Sequence, residues 1–210
     1  MAGIIILGAA GLAKEFFLYV KRSHPEFEKI YFVNDLDDGQ TEIKIDGKIY
    51  PVVKNWNFEN KFPFIVAVGN PHIKEKLVQK SLLCGLNPFK TIIDPSALVL
   101  SGNKIGVGGL IAPGCILTTN ITLGNYVTLN LNTTVGHDTK IGDFCTTNPG
   151  VHISGQIEIG NCNEFGTGCI VRDRLKIGSN QTFGAQSAVV KNIESDEKIT
   201  WVGIPVRKLG

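Results

Sequence analysis

The sequence is poor in the residues that would mark several functional classes. Its 210 residues include only four histidines, and no two of its five cysteines form a CxxC pair. A zinc-ribbon or disulfide framework is therefore not expected, and Cys84, Cys115, Cys145, Cys162 and Cys169 read as reduced thiols, most of them packing residues. Charge of one sign is also lacking. Twenty-one Lys and Arg face nineteen Asp and Glu with no long run of either, so a nucleic-acid footprint is not supported. Long hydrophobic runs are absent too. The apolar stretch "GIIILGAAGLA" has no basic flank and is too short to span a bilayer. These absences lead us to expect a cytoplasmic protein with no membrane insertion.

Glycine is plentiful, with 24 residues, and its placement is informative. The first ninety residues alternate strand and helix. "GIIIL" reads as a buried parallel strand and is followed by "GAAGLA" and the amphipathic "KEFFLYVKRSH". "KIYFVNDLDD" and "FPFIVAVGN" read as further strands. "PHIKEKLVQKSLLCG" reads as a helix, with Pro71 in its first turn and Gly85 at its stop. The order implies a small α/β, Rossmann-like domain over 1–90.

From residue 91 the period changes to six. In the series Ile93, Val99, Ile105 and onward to Val189, sixteen of seventeen positions are apolar, Thr147 being the break. Ile-Gly or Leu-Gly recurs every eighteen residues, at 105–106, 123–124, 141–142, 159–160 and 177–178. Six residues fit one short strand plus one turn, and three such units make a coil of triangular section. The apolar residue points inward. The glycine after it serves a corner where a side chain would crowd or φ is unusual. About five coils are expected over 91–210.

This repeat resembles that of hexapeptide-repeat, left-handed parallel β-helix proteins. A γ-class carbonic anhydrase on that scaffold would need three converging histidines, and this half offers only His137 and His152. The tail "VGIPVRKLG" resembles the end of hexapeptide acyltransferases. The order "ILGAAGLAKE", "VNDLDD", "VAVGNPHIKEKL", "IIDPSALV" and "LNTTVGHDTKIGD" resembles the NeuD/PglD-like sugar O-/N-acetyltransferases over nearly the whole chain.

The resemblance implies an acetyl-CoA-dependent N-acetyltransferase acting on the amino group of a nucleotide-linked sugar, expected to be a UDP-4-amino-4,6-dideoxy sugar. It also implies a homotrimer with active sites between prisms, and no metal. His137 maps onto the family's base and Asp138 onto its acidic partner. A histidine can take the proton as the amine attacks the thioester, and a carboxylate beside it raises its basicity. Gly8, Gly11, Leu12, Asp35, Gly69 and Asn70 are the implied sugar-nucleotide contacts. Thr146, Gly155, Thr167, Ala185, Gly203, Pro205 and Arg207 are the implied acetyl-CoA contacts. Thr146 stands where the family has a second histidine, and it cannot carry charge. Two other readings stay open: a sialic acid O-acetyltransferase, and a non-catalytic β-helix scaffold.

Overall fold

The computed structural model describes residues 2–34, 40–54, 56 and 61–210. The N-terminal sheet has the order β3-β4-β2-β1-β5, formed by Glu42–Ile45, Lys48–Val53, Lys29–Val33, Gly3–Leu7 and Phe64–Val66. β1 is flanked on both sides by parallel neighbours, and all five of its residues are buried, which is why it reads as an unbroken apolar run.

Helix α1, Gly11–Ser23, buries Ala13, Phe16, Phe17 and Val20, the i, i+3, i+4, i+7 stripe of an amphipathic helix. Helix α2, Pro71–Leu83, is capped by Asn70, whose side chain accepts from the amides of His72 and Ile73. Gly85, at φ +72°, follows its end.

One element departs from a plain strand–helix alternation. β3 and β4 form an antiparallel hairpin across Asp46-Gly47, both at positive φ. "IKIDGKIY" carries that signal, because Asp-Gly suits the tight turn that joins twisted strands. Lys29–Val33 ends at Val33, so the expected second strand "KIYFVNDLDD" stops short, and Asp35 lies outside the described residues.

The second half is a left-handed parallel β-helix with five complete three-strand coils and a closing segment. It has three faces. One contains Ile92–Ile93, Leu110–Ile111, Thr128–Leu129, Thr146–Thr147 and Glu164–Phe165, and carries the N-terminal domain; we call it the docked face. The next contains Leu98–Val99, Ile116–Leu117, Thr134–Val135, His152–Ile153, Ile170–Val171 and Ala188–Val189, and is the apolar face. The third, the charged face, contains Lys104–Ile105, Thr122–Leu123, Lys140–Ile141, Glu158–Ile159 and Lys176–Ile177. Ile199–Val202 and Arg207–Lys208 extend the docked face, and buried Val206 lies between them.

Every inward position from Ile111 to Val189 is buried. Phe165 and Phe183 stack at 4.9 Å inside the prism. The glycine that follows the inward residue of the charged face in each coil serves close approach, not unusual φ. A Cβ on Gly124, Gly142 or Gly160 would come within 3 Å of backbone atoms of the next coil. Positive φ falls two residues further on, at Asn120, Tyr126, Asn132, Asp138, Phe144, Gln156, Cys162, Arg174, Asn180 and Gln186.

The N-terminal domain is joined to the docked face and its corner by apolar and polar contacts. Phe64, Tyr126 and Phe144 form a stacked column, with centroids 6.3 and 5.0 Å apart. Arg22 meets buried Asp94 at 3.3 Å. All five thiols are free, and burial raises the pKa of the Cys115 thiol to about 11 and that of Cys145 to about 12.

Candidate active site

His137 and Asp138 lie in the turn between the apolar and charged faces. Asp138 has φ 58°, a conformation that Asp and Asn tolerate better than most residues. Its Oδ2 lies 2.7 Å from His137 Nδ1, and its Oδ1 accepts from Asn120 one coil away at 3.3 Å. The hydrogen bond to His137, then that to Asn120, holds the Asp138 carboxyl below the usual carboxylate range. An ionised carboxylate only accepts, so Nδ1 donates and, in the neutral ring, Nε2 keeps its lone pair.

Gly155, one coil further on, makes room for the ring. A Cβ there would stand 2.8 Å from His137 Nε2. The repeat thus leaves a notch under an imidazole that is about half exposed, with a side-chain exposure of 56%. A neutral imidazole so placed can take a proton from an attacking amine.

Thr167, Ala185 and Gly203 share a different corner, between the docked and apolar faces. Thr167 and Ala185 are exposed, and Gly203 has φ +97°. Pro205 and Arg207 follow Gly203, both exposed. The seven residues expected to meet acetyl-CoA therefore do not form one cluster within a chain. Gly155 sits with His137, and five gather at the other corner or just beyond it.

Thr146 is the exception and a correction. It lies on the docked face, 2% exposed, and its hydroxyl is 2.8 Å from Lys74 Nζ. That face is opposite the corner holding His137. The hydroxyl is enclosed and already bonded, so it is not available to a thioester.

The N-terminal domain holds a cavity of about 430 Å³ at the strand ends. Gly8, Leu12 and Gly69, three of the residues expected to contact the sugar nucleotide, line it. At Gly8, φ is +117° and a Cβ would lie 2.8 Å from the Ala67 carbonyl oxygen, so glycine is required there. Gly11 begins α1 and Asn70 caps α2, and neither lines the cavity.

The sequence reading missed Asn34, Gln40, Ile73, Lys76 and Leu77, which do line it. Gln40 donates to the Ala9 carbonyl at 2.9 Å and accepts from Asn34 at 3.3 Å. Ile73, Lys76 and Leu77 share one face of α2, an i, i+3, i+4 spacing that could have pointed to them. Lys76 brings a cation to an otherwise mainly apolar wall, suited to a phosphate.

Among the described residues, His72, Glu75 and Cys162 are the group whose ligand atoms could meet a metal, each within 4.8 Å of the others. His72 and Glu75 lie on α2 and Cys162 in the corner between the charged and docked faces, away from His137. No helix among the described residues is long and apolar enough to cross a membrane.

Comparison with known proteins agrees with this two-part plan. Residues 3–81 match the PglD N-terminal domain. The whole chain superposes on WeeI from Acinetobacter baumannii AYE with a TM-score of 0.88 and 29% identity, each chain fully covered. The chain is similar to the NeuD/PglD-like sugar acetyltransferases in both parts. The acetyltransferase domain of PglB from Neisseria gonorrhoeae FA1090, in complex with acetyl coenzyme A, is 26% identical with a TM-score of 0.85, covering 99% of this chain and 98% of that one. GDP-perosamine N-acetyltransferase of Escherichia coli O157:H7 is 34% identical over 87 residues, which span 41% of this chain and 39% of that protein.

Proposed function

We propose that the protein transfers an acetyl group from acetyl-CoA to the amine of a nucleotide-linked sugar, with His137 as general base. The observation that carries this is the His137–Asp138 pair, set over the Gly155 notch with Nδ1 taken up by Asp138 and Nε2 left to accept a proton. Asp138 holds the tautomer and stabilises the imidazolium that forms as the amine attacks the thioester carbonyl. The similarity to the PglB domain bound to acetyl coenzyme A supports the donor. Similarity to a GDP-perosamine N-acetyltransferase supports an amino-sugar acceptor, and it favours no UDP sugar over a GDP sugar. The N-terminal cavity suits such a nucleotide, with Gly8, Leu12 and Gly69 against it and Lys76 near its phosphates.

The reading requires more than one chain. Leu98, Ile116 and Ile170 are 52%, 40% and 51% exposed and share one outward row of the apolar face, with Thr134 and His152 between Ile116 and Ile170. An exposed apolar stripe of this kind marks an interface. Three copies with these faces turned toward a common axis form a homotrimer. Each His137 corner then meets the next chain's corner bearing Thr167, Ala185 and Gly203. That arrangement gathers, from two chains, residues that one chain keeps apart.

The test is thiol release from acetyl-CoA with GDP-perosamine and with a UDP-4-amino-4,6-dideoxy sugar. Turnover with either supports the reading, and the better substrate identifies the nucleotide. Unchanged turnover in His137→Ala would remove the histidine from its role.

A further inference from the structure

Lys74 is fully buried, and no described carboxylate forms an ion pair with it. Its Nζ reaches out of the N-terminal domain to oxygens of the β-helix. It lies 3.0 Å from the Tyr126 carbonyl, 3.0 Å from Thr128 Oγ1, 2.8 Å from Thr146 Oγ1 and 3.4 Å from the Cys145 carbonyl. Thr128 and Thr146 are partners on successive coils, so one group binds two turns of the prism at once.

The other contacts around it are mostly apolar. The column of Phe64, Tyr126 and Phe144 attracts without strong direction. Hydrogen bonds are directional, and a buried polar group with all its partners met selects one geometry. A slip of one coil, about 4.8 Å, would leave one threonine hydroxyl in reach and put Leu110 or Glu164 in the place of the other. The same helix that carries Lys74 presents Ile73, Lys76 and Leu77 to the cavity.

We propose that Lys74 is a positioning residue for the sugar half of the site. It fixes α2, and with it the cavity wall, at one height and rotation on the β-helix. This role rests on the acetyltransferase reading above. It also accounts for Thr146, whose hydroxyl serves the lysine where the family would have a histidine. Burial lowers the Lys74 pKa to about 7, a cost that a merely solvated lysine on α2 would not incur.

Three variants and two readouts test it. Lys74→Met keeps the apolar stem and removes the donors. Its KM for the nucleotide sugar is expected to rise by at least about tenfold, because small misplacements of a bound group are costly. Its KM for acetyl-CoA should stay within about twofold. Lys74→Gln, which can still donate, should recover part of the loss. In hydrogen exchange, the amides of 71–83 should exchange faster in Lys74→Met, while those of Thr134–Val135 and His152–Ile153 stay protected.

If Lys74→Met does not fold, the double variant Thr128→Val with Thr146→Val removes two acceptors and should show the same sugar-selective loss. Unchanged sugar KM in a folded variant overturns the proposal, as does an equal loss for both substrates. If the wild type transfers no acetyl group to any amino sugar, the function reading fails. The exchange measurement then decides the docking role by itself: faster exchange confined to 71–83 supports it, and unchanged exchange overturns it.

Discussion

Two polar places in one repeat, nine residues apart, are handled in opposite ways. At 137–138 the polar pair sits in a corner, half exposed, where the chain must turn and no core is disturbed. At 146–147 the polar pair sits on strand positions, both buried. Thr146 points outward under α2 and meets Lys74. Thr147 points into the prism, where its hydroxyl meets that of Thr133 at 2.9 Å and lies within hydrogen-bond reach of the Asn130 amide. A corner can carry chemistry without a stability cost to the coil. A strand position can hold a polar group only if another element covers and satisfies it.

The largest expected effect lies on the corner side. His137→Ala should lower kcat by about 10²–10⁴ and leave acetyl-CoA binding nearly intact, as read from steady-state rates and calorimetry. Gly155→Ala comes next. The added methyl meets the imidazole, so kcat should fall by about tenfold or more for a misplaced base, with little change in melting temperature.

On the strand side the effects fall on stability. Thr147→Val restores the apolar rule but strands the buried Thr133 hydroxyl, and should cost about 1–3 kcal/mol in urea unfolding. The double variant with Thr133→Val should be close to neutral, because both partners go together. A stabilised single variant would show that the hydroxyl pair contributes nothing.

The smallest effect is a pH slope from Lys74. Its folded pKa, about 7, lies below the ordinary value of 10.5, so the unfolded chain binds more protons between the two. Stability from this group rises with pH across that window and is lowest below pH 7. Cys145, with its pKa raised to about 12, works in the opposite direction above its ordinary 9.0. The slope should therefore be read from pH 7 to 8.5 and should flatten in Lys74→Met. Glu164 and Cys162 also act on the lysine and belong in the control set.

The prism was legible in the sequence because one physical demand repeats. Each coil needs three inward apolar residues, and Ile111 to Val189 meet it with one exception. The role of the glycines was only half legible, since crowding between coils and positive φ fall on different residues of the same turn. The Asp46-Gly47 hairpin signal is in the sequence, but a simple strand–helix alternation has no place for it.

His137 and Asp138 stood out by their place in the repeat and by resemblance. Lys74 did not, because a lysine on a helix normally reads as solvated, and its oxygens come from residues 52 to 72 positions away. Lys76 was missed for a related reason: the helix was found, but not which of its faces bounds the cavity.

The central claim of the proposed trimer is that the site is divided between chains, with His137 from one and the corner bearing Thr167, Ala185 and Gly203 from the next. Mixing subunits tests it directly. His137→Ala chains are co-assembled with chains whose opposite corner is blocked by Ala185→Trp, each expected to be inactive alone. A shared site predicts recovery of about a quarter of wild-type turnover in a random one-to-one trimer, since that fraction of interfaces pairs two intact halves. No recovery in verified mixed assemblies would contradict it, because a site within one chain is broken in both partners.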